Sequence, residues 1–132
     1  LSPDFEALAI DATFLQRSFG EQVLATRAFC DIGECHIIAN SYGGYLLLHA
    51  LSKIDPYIGK ILFLSPIVGE FSSEQIRMGF IPPFSTRLNE LATLKKFPIP
   101  LHCSFHVGSE DWQSGPENAK AFGIKTGMIC KS

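Results

Sequence analysis

One serine, Ser41, stands in a setting that could make it a nucleophile. It lies in Ala39-Asn40-Ser41-Tyr42-Gly43-Gly44, with a small residue two positions before it and another two positions after. The short apolar run Cys35 to Ala39 precedes it, and Gly43 to Ser52, which has helical spacing, follows. A strand that bends sharply into a helix at a serine lifts the hydroxyl above the sheet edge. The residues at plus and minus two then approach closely and must be small, and the bend itself costs backbone strain. The following helix points its N-terminus, with its partial positive charge, at the reaction centre. The N–H of Tyr42 is then a candidate oxyanion-hole donor. The chemistry would be acyl transfer through attack of the serine oxygen on a carbonyl. A plainer reading uses the same residues: Asn40 or Ser41 caps a helix, and Gly43-Gly44 allows tight packing.

A nucleophilic serine needs a base and a group to orient that base. Downstream, the apolar run Leu101 to Val107 leads into Gly108-Ser109-Glu110-Asp111. Asp111 is the candidate acid, with Glu110 its competitor one residue away; the bland reading is a surface turn. No histidine follows Asp111, and the four in the chain are His36, His49, His102 and His106. His36 and His102 open their strands, at the far end of a sheet from the bend. His49 falls two turns into the helix after Ser41, about 11 Å of rise away. Only His106 approaches the right edge, which makes it the one substitute base within the chain.

These two segments resemble the nucleophile elbow, written G-x-S-x-G, and the late strand ending in Gly-x-x-Asp of the α/β-hydrolase superfamily. Ala39 stands where the elbow usually has its first glycine, and Gly108 and Asp111 match the acid loop. The resemblance spans roughly Phe5 to Cys130 and represents the later two-thirds of a usual domain. It implies a three-layer α/β fold, a serine nucleophile at Ser41, and an acid at Asp111 that holds a histidine supplied after the last strand. It implies a hydrolase of esters, thioesters or amides, esterase-like, with a small-molecule acyl substrate and no metal or cofactor. The family's early strands and its His-Gly-type oxyanion loop do not occur before the elbow, and the chain does not begin with Met. The chain therefore reads as a piece cut from something longer at both ends. The alternative is a non-catalytic hydrolase-like binding or interaction protein without the triad histidine.

The rest of the chain must position these groups. The 132 residues, 46% hydrophobic and 18% charged, suit one domain with a buried sheet. A formal charge of −2 argues against a nucleic-acid partner. The glycine patterns of phosphate-binding loops and dinucleotide folds are absent, which disfavours a nucleotide-binding domain. Four cysteines without C-x-x-C spacing read as buried free thiols in a reducing, cytoplasmic setting. No apolar stretch is long enough for a membrane span, and no signal peptide is visible.

Along the chain, Phe5 to Ile10 reads as a strand with Asp11-Ala12-Thr13 as its exit. Ser18 and Glu21 form a capping box for a helix over Phe19 to Cys30, stopped at Asp31-Ile32-Gly33. Strands are expected at Cys35–Ala39, Lys60–Ser65, Leu101–Val107 and Lys125–Cys130. Helices are expected at Gly43–Ser52, Thr86–Lys96 and Glu117–Phe122. Val68 to Phe97 reads as a lid-like insertion whose Phe71, Met78, Phe80, Ile81 and Phe84 either line an acyl pocket or merely cover the sheet. Strands alternating with helices predict a mostly parallel sheet with helices on both faces.

Overall fold

The structure is a computed structural model, and it describes residues 7–30, 36–55, 57, 59–66, 84, 86–98, 102–107 and 116–131. In chain order these hold α1 (Ala12–Leu15), α2 (Phe19–Cys30), β1 (Ile37–Asn40), α3 (Tyr42–Leu51), β2 (Lys60–Leu64), α4 (Arg87–Thr93), β3 (His102–His106), α5 (Pro116–Thr126) and β4 (Ile129–Lys131). The fold is α/β, with a four-stranded parallel sheet in the order β1-β2-β3-β4.

The register aligns Ile37, Ile61 and Cys103 in one row, and Ala39, Phe63 and Phe105 in the next but one. These rows share a face, because side chains alternate along a strand. Ala39, Ile61, Phe63 and Phe105 are buried in one core with Tyr45, Leu47, Leu48 and Leu51 of α3, Leu88 and Ala92 of α4, and Phe122 of α5. Phe105 lies edge-on to Phe63 (4.9 Å between centroids) and stacks on Phe122 (6.0 Å). Rows on the opposite face hold Ile38, which is 65% exposed, and the exposed Asn40, Lys60, Leu64, His102 and His106.

Three helices thus pack on one face of the described sheet. The expectation of helices on both faces is not met among the described residues, for a topological reason. Parallel strands taken in sequential order, each joined by a right-handed crossover, place every crossover helix on the same side. Helices reach the second face only where the strand order reverses, and the described order does not reverse.

A second apolar layer lies outside α3. Phe14 of α1, Val23 of α2, and Leu46 and Ala50 of α3 form it, with Leu8 and Ile10 packed alongside. Helix α3 is consequently sandwiched, and every residue from Gly44 to Leu51 is buried. The Phe5–Ile10 strand is corrected here. Residues 7–10 are neither helix nor strand, and residues 5 and 6 lie outside the described residues. Leu8 and Ile10 spend their apolar surface on α3 rather than in a sheet. Asp11 is not a strand exit either: its Oδ1 accepts the Phe14 N–H at 2.9 Å and caps α1.

Helix α2 begins as its capping signal predicts. The Glu21 N–H donates to Ser18 Oγ at 3.2 Å, and Ser18 Oγ–H donates to Glu21 Oε1 at 3.1 Å. Helix α5 runs four residues past its expected end, through Lys125 and Thr126, which were expected in the last strand. Gly127, at φ 80°, stops it and its N–H donates to the Gly123 carbonyl at 2.8 Å. That is a glycine helix stop, a conformation other residues adopt at a cost. The final strand is therefore shortened to Ile129–Lys131. The Asp31-Ile32-Gly33 stop and residues 68–83 and 85 of the lid-like insertion lie outside the described residues.

Candidate active site

Ser41 sits between the last residue of β1 and the first of α3, with φ 51° and ψ −119°. This is left-handed territory, which costs a non-glycine residue about 1–2 kcal/mol. The surrounding backbone holds it there. The Ser41 N–H donates to the Leu64 carbonyl at 3.0 Å, extending the β1–β2 ladder by one residue. The Ser41 carbonyl accepts the Tyr45 N–H at 3.2 Å, starting the helix. The side chain makes no capping hydrogen bond, so the plain helix-cap reading of Ser41 does not describe this bend. The residue is half-buried at the C-terminal edge of the sheet.

Tyr42 opens α3, where the first N–H groups of a helix have no intrahelical partner and point outward. Its side chain is tied down elsewhere. The phenol O–H donates to Gln22 Oε1 at 2.8 Å, and the ring stacks on Tyr45 with centroids 5.9 Å apart. Burial pushes the Tyr42 hydroxyl above its usual range, so it stays protonated. Gln22 is itself buried and donates from Nε2 to the Arg17 carbonyl at 3.0 Å. Sequence reasoning missed this link between α2 and the elbow, and a contact twenty residues apart leaves no local signal.

The small residues act somewhat differently from the expectation. Ala39 is buried in the core, and a Cβ on Gly43 would stand 3.3 Å from Ile10 Cδ1. The tightest position is Gly44, which the elbow pattern does not require. A Cβ there would meet Pro66 Cβ at 3.0 Å, with Pro66 Cα and Phe63 Cδ1 at 3.3 Å. Ser65, at the end of β2, was also missed; it adopts φ 48° beside Ser41. A cleft of about 330 Å3 opens along β1, lined by Leu8, Ile10, Phe29, Ile38, Asn40 and Gly43 among others.

The structure does not bring an imidazole to Ser41 from any of the four histidines. His106 ends β3 and pairs with Leu64, which in turn pairs with Asn40. It is exposed, two strands away, which is roughly 10 Å at ordinary strand spacing. His36 accepts the Lys60 N–H on Nδ1 at 3.2 Å, at the N-terminal end of β1. His102 is exposed at the start of β3. His49 is buried, edge-on to Tyr45 (4.6 Å) and Phe19 (5.0 Å), and its Nε2 has no hydrogen-bond partner among the described residues. Burial, helped by the charges of Lys53 and Arg87, pushes it down to about 4.

Asp111 and Glu110 lie outside the described residues, as do Phe71, Met78, Phe80 and Ile81. Phe84, the described aromatic of that group, is 69% exposed and leans on Phe19 at 5.4 Å. Burial pushes the Cys103 thiol up to about 12. Among the described residues no cluster of three His, Cys, Asp or Glu side chains could hold a metal ion, and no helix is long and apolar enough to cross a membrane. The chain matches no protein-family model, no curated protein and no solved structure.

Proposed function

We propose that this chain carries the nucleophile of an α/β-hydrolase-type serine hydrolase that cleaves an ester, thioester or amide through an acyl-enzyme on Ser41. One observation carries the reading: a serine with φ 51° at the junction of a parallel strand and the N-terminus of a ten-residue helix. Strain of this kind persists only where surrounding structure enforces it, and it concentrates at functional sites. Attack of Ser41 Oγ on the substrate carbonyl would pass its proton to a base. The oxyanion would sit against the Tyr42 N–H. Collapse of the tetrahedral intermediate would expel the alcohol, thiol or amine and leave the acyl group on Ser41. Water, activated by the same base, would release the acid.

The base would be a histidine oriented by Asp111, if the full-length protein supplies one after Cys130 as the resemblance implies. The cleft beside β1 offers apolar room for a small or medium acyl group next to the elbow. Four cysteines without C-x-x-C spacing suit a reducing compartment such as the cytoplasm.

A fluorophosphonate probe tests this, with imidazole added to the buffer as a surrogate base. It should phosphonylate Ser41, read by peptide mass, and leave Ser41→Ala unmodified. The placement of all four histidines away from Ser41 favours a second reading, a non-catalytic member of the same fold that binds without reacting. An intact protein that carries no histidine after Cys130 and stays unlabelled at Ser41 would establish that second reading and remove the first.

A further inference from the structure

Two adjacent strands end in the same unusual way. Asn40 pairs with Leu64, and Leu64 pairs with His106, so Ser41 and Ser65 leave the sheet side by side. Both have left-handed backbones, at φ 51° and 48°. Each donates its N–H sideways to the last carbonyl of the next strand: Ser41 to Leu64 at 3.0 Å, Ser65 to His106 at 2.7 Å. The elbow is therefore one step of a staircase, and the second step fixes the carbonyl that holds the first.

Pro66 follows directly and is fully buried. A proline needs no partner for an N–H it lacks, so it can be packed deep at a strand exit without an unsatisfied donor. Its Cβ and Cα lie 3.0 and 3.3 Å from where a Cβ on Gly44 would stand. Gly44 is in the first turn of α3, three residues after Ser41. The backbone of that turn thus rests on Pro66, as close as two chains come without a side chain between them. The resting height of the turn decides where its free N–H groups stand relative to the Ser41 hydroxyl.

We propose that the Ser65-Pro66 corner, acting through Gly44, is a positioning element for Ser41. It sets how deeply the first turn of α3 seats on the sheet, and it touches no reacting atom. The proposal rests on the nucleophile reading for its chemical consequence but not for its structural one. Two readouts keep these apart: hydrogen exchange of the Ser41 amide, and the rate of its phosphonylation with imidazole present.

Gly44→Ala should raise the exchange rate of the Ser41 amide at least tenfold and slow phosphonylation at least tenfold. Pro66→Gly alone, which removes the buttress and adds an N–H at a buried strand exit, should move both readouts in the same direction. Ala92→Gly, a change at a buried position in the last turn of α4, should weaken the protein comparably and move neither readout. Amide exchange in Gly44→Ala that matches Ala92→Gly, or a Pro66→Gly variant that leaves both readouts unchanged, would overturn the proposal. If an intact protein with no histidine after Cys130 does not label, the nucleophile reading falls, and the exchange comparison still decides whether the corner positions Ser41.

Discussion

At the scale of single residues, burial and backbone angle matter more here than charge. His49 carries an Nε2 without a hydrogen-bond partner among the described residues, set among aromatic rings, so its charged form is disfavoured in the folded protein. Its folded value of about 4 lies below the ordinary 6.5, so the unfolded chain binds the proton more readily. Stability should then be full above about pH 6.5 and fall progressively toward pH 4, by on the order of 3 kcal/mol from this group. Urea unfolding across that range measures it. His49→Leu should flatten this part of the profile, and an unchanged slope would mean another group dominates. The identity of the candidate nucleophile was legible because strand, small residues and serine form a local pattern. Gly44, Ser65 and Gln22 were not, because their importance comes from contacts between distant segments.

At the scale of elements, local signals succeeded where side chain and backbone interact within a turn. The Ser18–Glu21 capping box placed the start of α2 correctly. Ser18→Ala should cost about 1 kcal/mol in chemical unfolding, the ordinary value of a helix cap. The same kind of signal was overlooked at Gly127, where the apolar run Lys125 to Cys130 was read as one strand. Gly127→Ala should cost about 1 kcal/mol, because alanine is strained at φ 80°. A neutral result would mean the helix ends by another route. The Phe5–Ile10 segment was misread because a short apolar run does not distinguish pairing in a sheet from packing on a helix. Leu8 and Ile10 pack on the outer face of α3 instead.

At the scale of the whole molecule, the parallel order of strands was legible from alternation, but the number of covered faces was not. Alternating strands and helices say that crossovers exist; only strand order says which side they take. The described sheet consequently buries one face and shows Ile38 and Leu64 on the other. Ile38→Thr keeps a β-branched residue on the strand and should change stability by less than about 0.5 kcal/mol. It should also reduce binding of a hydrophobic dye; a loss well above 1 kcal/mol would show that this face is covered.

All of this architecture converges on the bend at Ser41, which the thiol variant Ser41→Cys probes most directly. A thiol displayed at the N-terminus of a helix becomes more acidic than the free value of about 8.5. The measurement is the pH dependence of its alkylation by iodoacetamide, followed on the peptide that contains position 41. The account predicts a midpoint clearly below about 8.5, with alkylation faster than at buried Cys30 and half-buried Cys103. A midpoint at or above that value, or a thiol as unreactive as those two, would contradict it.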